Sequence, residues 1–470
     1  MIKKNNSQHL NAGVMAIILL SLMYSFGTFG FLNLFGARSI VQMALIAVMT
    51  SLFIVMRFSI RVSHLFPIIV FSGTYVIGSL IFSGTIASLV DMYILIFCFV
   101  LFFYAPPKHL IFFSKVLVIA TTILCILVVI AFIYYQIYPV EVSRANIFIY
   151  SSEVGSKRIY PGHFMDFISF TSGEGFNING HQVTRMKGYS NEPSSTIVHY
   201  VAPAAIAFIL GGRFLYLGVF ILAVNIVAIA SFTSYIILIL SFAFFTIKFI
   251  PKVIGKALFF LTICCFLFFV FNPDIVLSGF RYVSLKMLDY AGFDLLSRKI
   301  GDGSVNSNLG DRHQGIIEGF KLALTSPLGY PKENLGSGAG LFFMVSSRAG
   351  WIGILIFGVF MAHFIKNIKI TYFMASSSIY VYGLSLLLST LLVALFISGY
   401  GWSRPPGIIM ILLFFRFLQI VASENNALPN FMNRRFVSNS PRKDLRTAND
   451  GDFAQLLPTA KITTASDQNL

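Results

Sequence analysis

The sequence predicts an all-α polytopic membrane protein with about twelve transmembrane helices and two large outer loops. Of its 470 residues 57% are hydrophobic and only 11% are charged, whereas soluble domains are about 45–50% apolar and about 25% charged. Its apolar runs are continuous and approach the ~20 residues that a helix needs to cross a bilayer. The sequence lacks the segments of about ten residues with alternating polar and apolar side chains that are typical of an outer-membrane barrel.

The predicted spans divide the chain into a transmembrane domain, residues 1–421, and a polar tail, residues 422–470. The spans are roughly 12–32, 39–56, 65–83, 89–105, 110–138, 196–210, 214–230, 233–250, 256–272, 341–364, 375–397 and 406–421. Only the weak polar break at 231–234 divides the seventh span from the eighth. Two connections are long, about 139–195 and 273–340, and the tail has the composition of a disordered segment.

The distribution of Lys and Arg predicts that both termini are cytoplasmic. With that orientation the short outer connections contain only Arg38 and Arg404. The short inner segments contain Lys3, Lys4, Arg57, Arg61, Lys108, Lys115, Arg213, Lys248, Lys252, Lys256, Lys366 and Lys369. Cytoplasmic loops are enriched in Lys and Arg, so the two long loops are expected on the outer face.

The sequence lacks the signatures of several functional classes. The net charge of +16 would suggest nucleic acid in a soluble protein, but the inner loops and two outer loops account for it here, so no nucleic-acid partner is expected. The chain has no Walker loop, no dinucleotide-binding glycine motif, no HExxH and no zinc-spaced Cys pair. We therefore expect no cofactor and no metal, and chemistry carried by Arg, His, Glu and Asp.

The first outer loop ends in a dense polar cluster that runs from Arg185 to Ser195. Glu192 precedes Pro193, which is typical of the first turn of a helix. A carboxylate there is explained by the helix dipole alone, or it acts as an acid/base or accepts sugar hydroxyls beside Arg185. Lys187 and Arg158 of the same loop are candidate ligands of an anionic substrate.

The second outer loop contains a predicted amphipathic surface helix that begins near Asp311 and ends before Pro327. Its expected apolar face is Ile316, Phe320 and Leu324, and its first turn offers Arg312 and His313. Arginine near a helix N-terminus opposes the dipole, so Arg312 is expected either to bind phosphate, which its fork of donors suits, or to form a surface ion pair.

Two further arginines are candidates for substrate binding. Arg281 lies early in the second loop, and Arg348 lies near the start of the tenth span. An ionisable residue at the edge of the bilayer indicates a functional site by default, although an arginine whose head group reaches the interface is an equal alternative.

Two strings of residues resemble motifs of the polymerase/ligase superfamily of bacterial surface polysaccharides. Arg185…Gly188-Tyr189-Ser190-Asn191-Glu192-Pro193-Ser194 resembles the Arg…Gly-Phe-x-x-Glu-Pro-Ser pattern that opens a span in many O-antigen and capsule polymerases. Arg312…Pro327-Leu328-Gly329…Asn334…Gly350-Trp351-Ile352-Gly353 resembles the string at the end of their second large loop. The His-containing string of the ligase branch is absent at 332–337, which favours a polymerase.

The resemblance implies a Wzy-type polymerase, a glycosyltransferase of O-antigen, capsule or exopolysaccharide synthesis. Such enzymes transfer a growing glycan from undecaprenyl pyrophosphate to a lipid-linked repeat unit, alongside membrane lipid, a chain-length regulator and a flippase as partners. By this resemblance Arg312 and Arg185 would hold the pyrophosphates, and Glu192 or His313 would take the proton of the acceptor hydroxyl. An O-antigen ligase and a lipid-linked glycan flippase or transporter are the alternative functions.

Overall fold

The computed structural model describes residues that lie mainly between positions 105 and 424 of the chain. The described residues are 13–20, short pieces between 44 and 102, 105–137, 147–151, 157–161, 170–178, 181–188, 197–229, 231–272, 293–294, 317–330, 340–374, 377–396 and 405–424. The predicted tail beyond 424 and most of the second to fourth predicted spans lie outside these residues.

Apolar helices form the main body of the described chain. They are α1 (Pro107–Ile137), α2 (Ala202–Leu210), α3 (Phe214–Val224), α4 (Phe232–Ile247), α5 (Lys252–Phe271), α6 (Leu341–Met374), α7 (Ser378–Phe396) and α8 (Pro405–Glu424). A π-helical turn, Ile197–Val201, leads into α2, and a second one, Asn225–Ile229, extends α3. Each predicted span from 110–138 onward coincides with one of these helices.

Within the described part of the chain, three helical segments are long and apolar enough to cross a membrane, namely Pro107–Tyr134, Leu341–Ile368 and Ser378–Phe396. Shorter apolar helices accompany them, among them Ile197–Leu210, Phe214–Ile229 and Thr233–Ile247. The separation at 231–234 is as the sequence predicts, because Ser231 has an extended backbone and α4 begins at the next residue. This set of helices fits a membrane protein.

The centre of the bundle is α7, which packs against α2, α4 and α6. Close approach to α2 depends on small residues, since a Cβ on Gly383 would meet Phe208 and the carbonyl of Ala205 within about 3 Å. Small residues at helix interfaces are typical of membrane bundles. The hydroxyls of Ser385, Ser389 and Thr390 donate to carbonyls one turn earlier in the helix, so they add polarity without an unmet hydrogen bond.

The two long loops contain strands, which the all-α prediction did not include. The first loop contains two antiparallel pairs, β1 (Ile147–Ser151) with β2 (Lys157–Pro161) and β3 (Phe170–Ile178) with β4 (His181–Gly188). A short strand from the second loop, β5 (Phe293–Asp294), pairs with the other edge of β3. Sheet pairing satisfies backbone groups that a helix would otherwise satisfy, and here it joins the two loops.

Thiol labelling tests the predicted orientation of the chain. In a chain without its four cysteines, Met165→Cys in the first loop and Val305→Cys in the second should react with a membrane-impermeant maleimide on intact spheroplasts. Lys252→Cys should react only after permeabilisation, because the charge bias assigns it to the cytoplasm. Protection of both loop positions in intact spheroplasts would contradict the predicted topology.

Candidate functional site at the loop end of the bundle

Strand β4 docks on one end of the helix bundle, where it contacts α1 and the π-helical turn Asn225–Ile229. The side chain of Met186, in the middle of β4, is fully buried in the hydrophobic core. We call this end, formed by β4 and the two π-helical turns, the loop end. Both predicted basic residues of β4, Arg185 and Lys187, are the sequence neighbours of this anchor.

A bulge in the sheet lies directly at Arg185. The register pairs Thr171 with Met186 and Gly175 with Thr184, so three residues of β3, including Glu174, oppose the single residue Arg185. Bulges break regular pairing and are common beside functional sites. The arrangement puts an acidic residue, Glu174, in the strand next to Arg185, which the sequence analysis missed because the pairing of β3 with β4 was not foreseen.

Several buried polar side chains lie in the two π-helical turns and at the start of α4. They are His199, Asn225, Ser231, Thr233 and Ser234. The Tyr235 hydroxyl donates to the carbonyl oxygen of Ile226 at 2.9 Å, so it satisfies a backbone group of the widened turn. π-Helical turns are rare and frequently occur at functional sites.

Two of these polar side chains have no hydrogen-bond partner among the described residues. Both amide atoms of Asn225 and the hydroxyl of Ser234 are buried and unpaired. Burial of an unpaired polar group costs free energy, so in apolar surroundings such groups need an explanation. Both residues were missed by the sequence analysis, although an Asn inside an apolar span is itself the signal that would have found one of them.

The described residues of the second motif, Pro327 to Gly329 and Gly350 to Gly353, lie close together at a break in α6. Gly350, with φ 53° and ψ −150°, divides α6 into Leu341–Ala349 and Trp351–Met374. The break leaves backbone N–H and C=O groups of α6 without their helical partners. The turn that follows the short helix at 317–325 forms hydrogen bonds with two of these groups. The Trp351 amide donates to Pro327 O at 3.0 Å, and the Tyr330 amide donates to Ser347 O at 2.8 Å. Pro327, Gly329 (φ 108°) and Gly350 therefore have a shared structural role.

Side chains reinforce this junction. The Trp351 indole donates to Ala323 O at 2.8 Å. The Tyr330 hydroxyl lies 2.8 Å from Ser346 Oγ and 3.3 Å from Phe343 O, and the Ser346 hydroxyl donates to Phe343 O. Burial raises the pKa of Tyr330, and the Ser346 bond lowers it in part, which keeps the hydroxyl protonated as a donor. These hydrogen bonds hold the short helix at 317–325 and the turn after it against α6.

Two residues of the predicted apolar face, Phe320 and Leu324, lie in the described part of the short helix. Phe320 packs against Phe342 and Phe343, with ring centroids 5.4 and 4.9 Å away, and Ala323 is also buried. Leu324 is 73% exposed, while Ile316 lies outside the described residues. A helix at a membrane surface can direct apolar side chains toward lipid, so the exposed Leu324 is compatible with the predicted surface helix.

The structure describes part of the predicted site. Arg158 lies in β2, where it pairs with Tyr150, and Arg185 and Lys187 lie in β4. Arg348 is half-buried in the first segment of α6, two residues before the break. Glu192, Arg281, Arg312 and His313 lie outside the described residues, so their roles stay predictions.

Comparison with family models, curated proteins and solved structures finds no match for the chain. Within the described residues no group of His, Cys, Asp and Glu is arranged to hold a metal. All four cysteines are unpaired, with Cys98 and Cys125 buried and Cys264 and Cys265 exposed on α5.

Cysteine replacement and chelation test the expectation of metal-free chemistry. Replacing Cys98, Cys125, Cys264 and Cys265 together by Ala or Ser should leave activity largely intact, apart from packing losses of roughly 1 kcal/mol at the buried sites. Treatment with a chelator should also leave activity unchanged in the glycan assay described below. Loss of activity that added Mg²⁺ or Mn²⁺ restores would contradict this expectation.

Proposed function

We propose that the chain is a surface-polysaccharide polymerase that transfers a growing glycan from undecaprenyl pyrophosphate to a lipid-linked repeat unit at the outer face of the inner membrane. The observation that carries the proposal is the pairing of β5 with β3, which joins the two basic outer loops in one sheet. The sheet rests on the bundle through β4, which supports a site built from both loops at a membrane surface.

The chemistry of the reaction fits such a site. The donor is already activated, so no nucleotide is needed, and the leaving group is a pyrophosphate whose negative charge develops during transfer. Donors that are fixed where this charge develops stabilise the transition state. Arg312 and Arg185 are the proposed pyrophosphate ligands, with Arg158, Lys187, Arg281 and Arg348 as further substrate contacts.

The acceptor hydroxyl must lose a proton as the glycosidic bond forms. Glu192 and His313 are the proposed acid/base residues, because a carboxylate or an imidazole suits this role near neutral pH.

Deletion of the coding sequence distinguishes the proposed function from its two alternatives. Loss of a polymerase should leave surface glycan of a single repeat unit. Loss of a ligase should remove glycan from its final acceptor, while long chains accumulate on the lipid carrier. Loss of a flippase should trap single lipid-linked units on the inner leaflet. Long surface chains in the deletion strain would contradict a polymerase.

A further inference from the structure

We propose that the short helix at 317–325 and the turn after it lie at the boundary between the head groups and the acyl chains of the bilayer, with one face in contact with lipid. This face, which we call the lipid patch, also includes the start of the second segment of α6. Its residues are Ile317, Leu324, Leu328, Trp351, Ile352 and Leu355. The inference goes beyond the proposed function and does not depend on it.

The short helix has two apolar faces, and one of them packs on α6. Gly319 and Ala323 are buried, and a Cβ on Gly319 would lie 2.7 Å from the Phe343 ring, so this face lies against the first segment of α6. Ile317 and Leu324 are seven positions apart, which places them on one side of a helix. They are 50% and 73% exposed, so their side is directed away from α6.

The second segment of α6 continues this exposed face. The Trp351 amide donates to Pro327 O, and the Trp351 indole donates to Ala323 O at 2.8 Å. These two acceptors directly precede Leu328 and Leu324 in the sequence, so the three large side chains belong to one area of the surface. Trp351 is 52% exposed, and the indole N–H is its only polar group. The exposed part of Trp351 is therefore apolar ring.

The membrane-facing side of α6 identifies what covers the patch. Leu341–Ile368 is long and apolar enough to cross a membrane. In its second segment Ile352, Leu355 and Val359 are 48%, 69% and 54% exposed, and their spacing places them along one side of the helix. Lipid tails are as apolar as these side chains, so they cover an exposed apolar side of a membrane span. The patch is continuous with this side, and acyl chains are its occupant.

Helix length gives the level of the short helix in the bilayer. The exposed Lys366 marks one limit of the apolar side of α6, since charged groups are costly inside the hydrocarbon. The fifteen positions from Trp351 to Lys366 rise about 22 Å, which is less than the ~30 Å of the hydrocarbon core. The first segment, Leu341–Ala349, must complete the crossing, and none of its residues is exposed. Lipid at this level meets the short helix that covers the segment.

Polar groups of the short helix and its turn fit a position at the boundary. The Gly329 amide donates to Ser326 O, and the Tyr330 amide donates to Ser347 O, and backbone groups in contact with acyl chains need such internal partners. Lys321 is exposed on the same side as the patch, and its long stem allows the ammonium to reach the head groups. This charge places the patch at the boundary and not at the bilayer centre.

Nitroxide labels on the full chain in nanodiscs test the short helix. In a chain without its four cysteines, Leu324→Cys and Leu328→Cys carry the label, and Thr325→Cys is the matched control. Thr325 is also exposed, but it lies about 100° from Leu324 around the helix. Labels at 324 and 328 should collide with oxygen, which concentrates among acyl chains, several-fold more than with a water-soluble nickel chelate. At 325 this ratio should be several-fold lower.

The two tryptophans of the chain, Trp351 and Trp402, allow a second measurement that needs no introduced cysteine. In the variant Trp402→Phe, Trp351 is the only tryptophan and lies within the patch. Lipids that carry bromine near the head-group end of the acyl chain should quench most of its emission. Acrylamide in the aqueous phase should quench little of it.

Nickel access at positions 324 and 328 that equals the access at 325 would overturn the inference, as would Trp351 emission that brominated lipid leaves unchanged. Low access to both reagents, with spectral broadening that unlabelled chain removes by dilution, would show that a second copy covers the patch and would also overturn it. None of these measurements depends on glycan length. Their failure leaves the proposed polymerase standing, and long surface glycan in the deletion strain leaves the lipid patch standing.

Discussion

Gly350→Ala should abolish accumulation of the folded protein, whereas Gly358→Ala, eight residues later in the same helix, should be tolerated. Gly350 has a positive φ of 53° with ψ −150°, a conformation that is almost confined to glycine. A Cβ at this position would overlap the carbonyl oxygen of Pro327, which accepts the Trp351 amide proton. Backbone strain and the clash together should cost about 4 kcal/mol or more.

Gly358 is the matched control because an added Cβ there meets nothing within 4 Å. Alanine favours a helix over glycine by about 1 kcal/mol, so Gly358→Ala should be neutral or slightly stabilising. The measurement is the yield and the melting temperature of each variant in detergent. Equal melting temperatures for the two variants would show that the break at Gly350 does not form as described.

Helix positions in the second half of the chain could be predicted because apolar length is a strong constraint in a bilayer. The division at 231–234 is an example, since a short polar break was enough to separate α4 from the preceding π-helical turn. The break inside α6 could not be predicted, because glycine is common in membrane helices. Its conformation depends on a contact with Pro327, 23 positions earlier in the sequence.

The outer loops illustrate what local patterns leave open. The sequence predicted that these loops are large, basic and outside the membrane. It did not predict that β3 pairs with both β4 and β5, because strand pairing between two loops depends on residues far apart in the sequence. Arg185 and Lys187 were candidates from the sequence, whereas the buried, unpaired side chains of Asn225 and Ser234 were not. Their significance lies in missing partners and in burial, which only three-dimensional packing reveals.

Arg312→Ala should leave surface glycan of single repeat units while the protein still inserts and accumulates. In the proposed mechanism Arg312 donates to the pyrophosphate leaving group, and loss of such a contact to a developing charge costs roughly 2.7–4 kcal/mol, or about a hundred- to a thousandfold in rate. Arg312→Lys keeps the charge but loses the planar fork of donors that matches paired phosphate oxygens, so it should also lose much of the activity.

The alternative role of Arg312 is a surface ion pair with Asp311 or Glu318, and it predicts a different result. Exposed pairs contribute about 0–1 kcal/mol, so Arg312→Ala would then leave long chains nearly normal. Lys321→Ala is the matched control, because Lys321 is an exposed basic residue of the adjacent short helix with no assigned part in the reaction. It should leave the length distribution unchanged, which separates a specific contact from a general loss of positive charge. Full-length glycan from Arg312→Ala at ordinary expression would remove Arg312 from the site, and with it the phosphate-binding role proposed for the second loop.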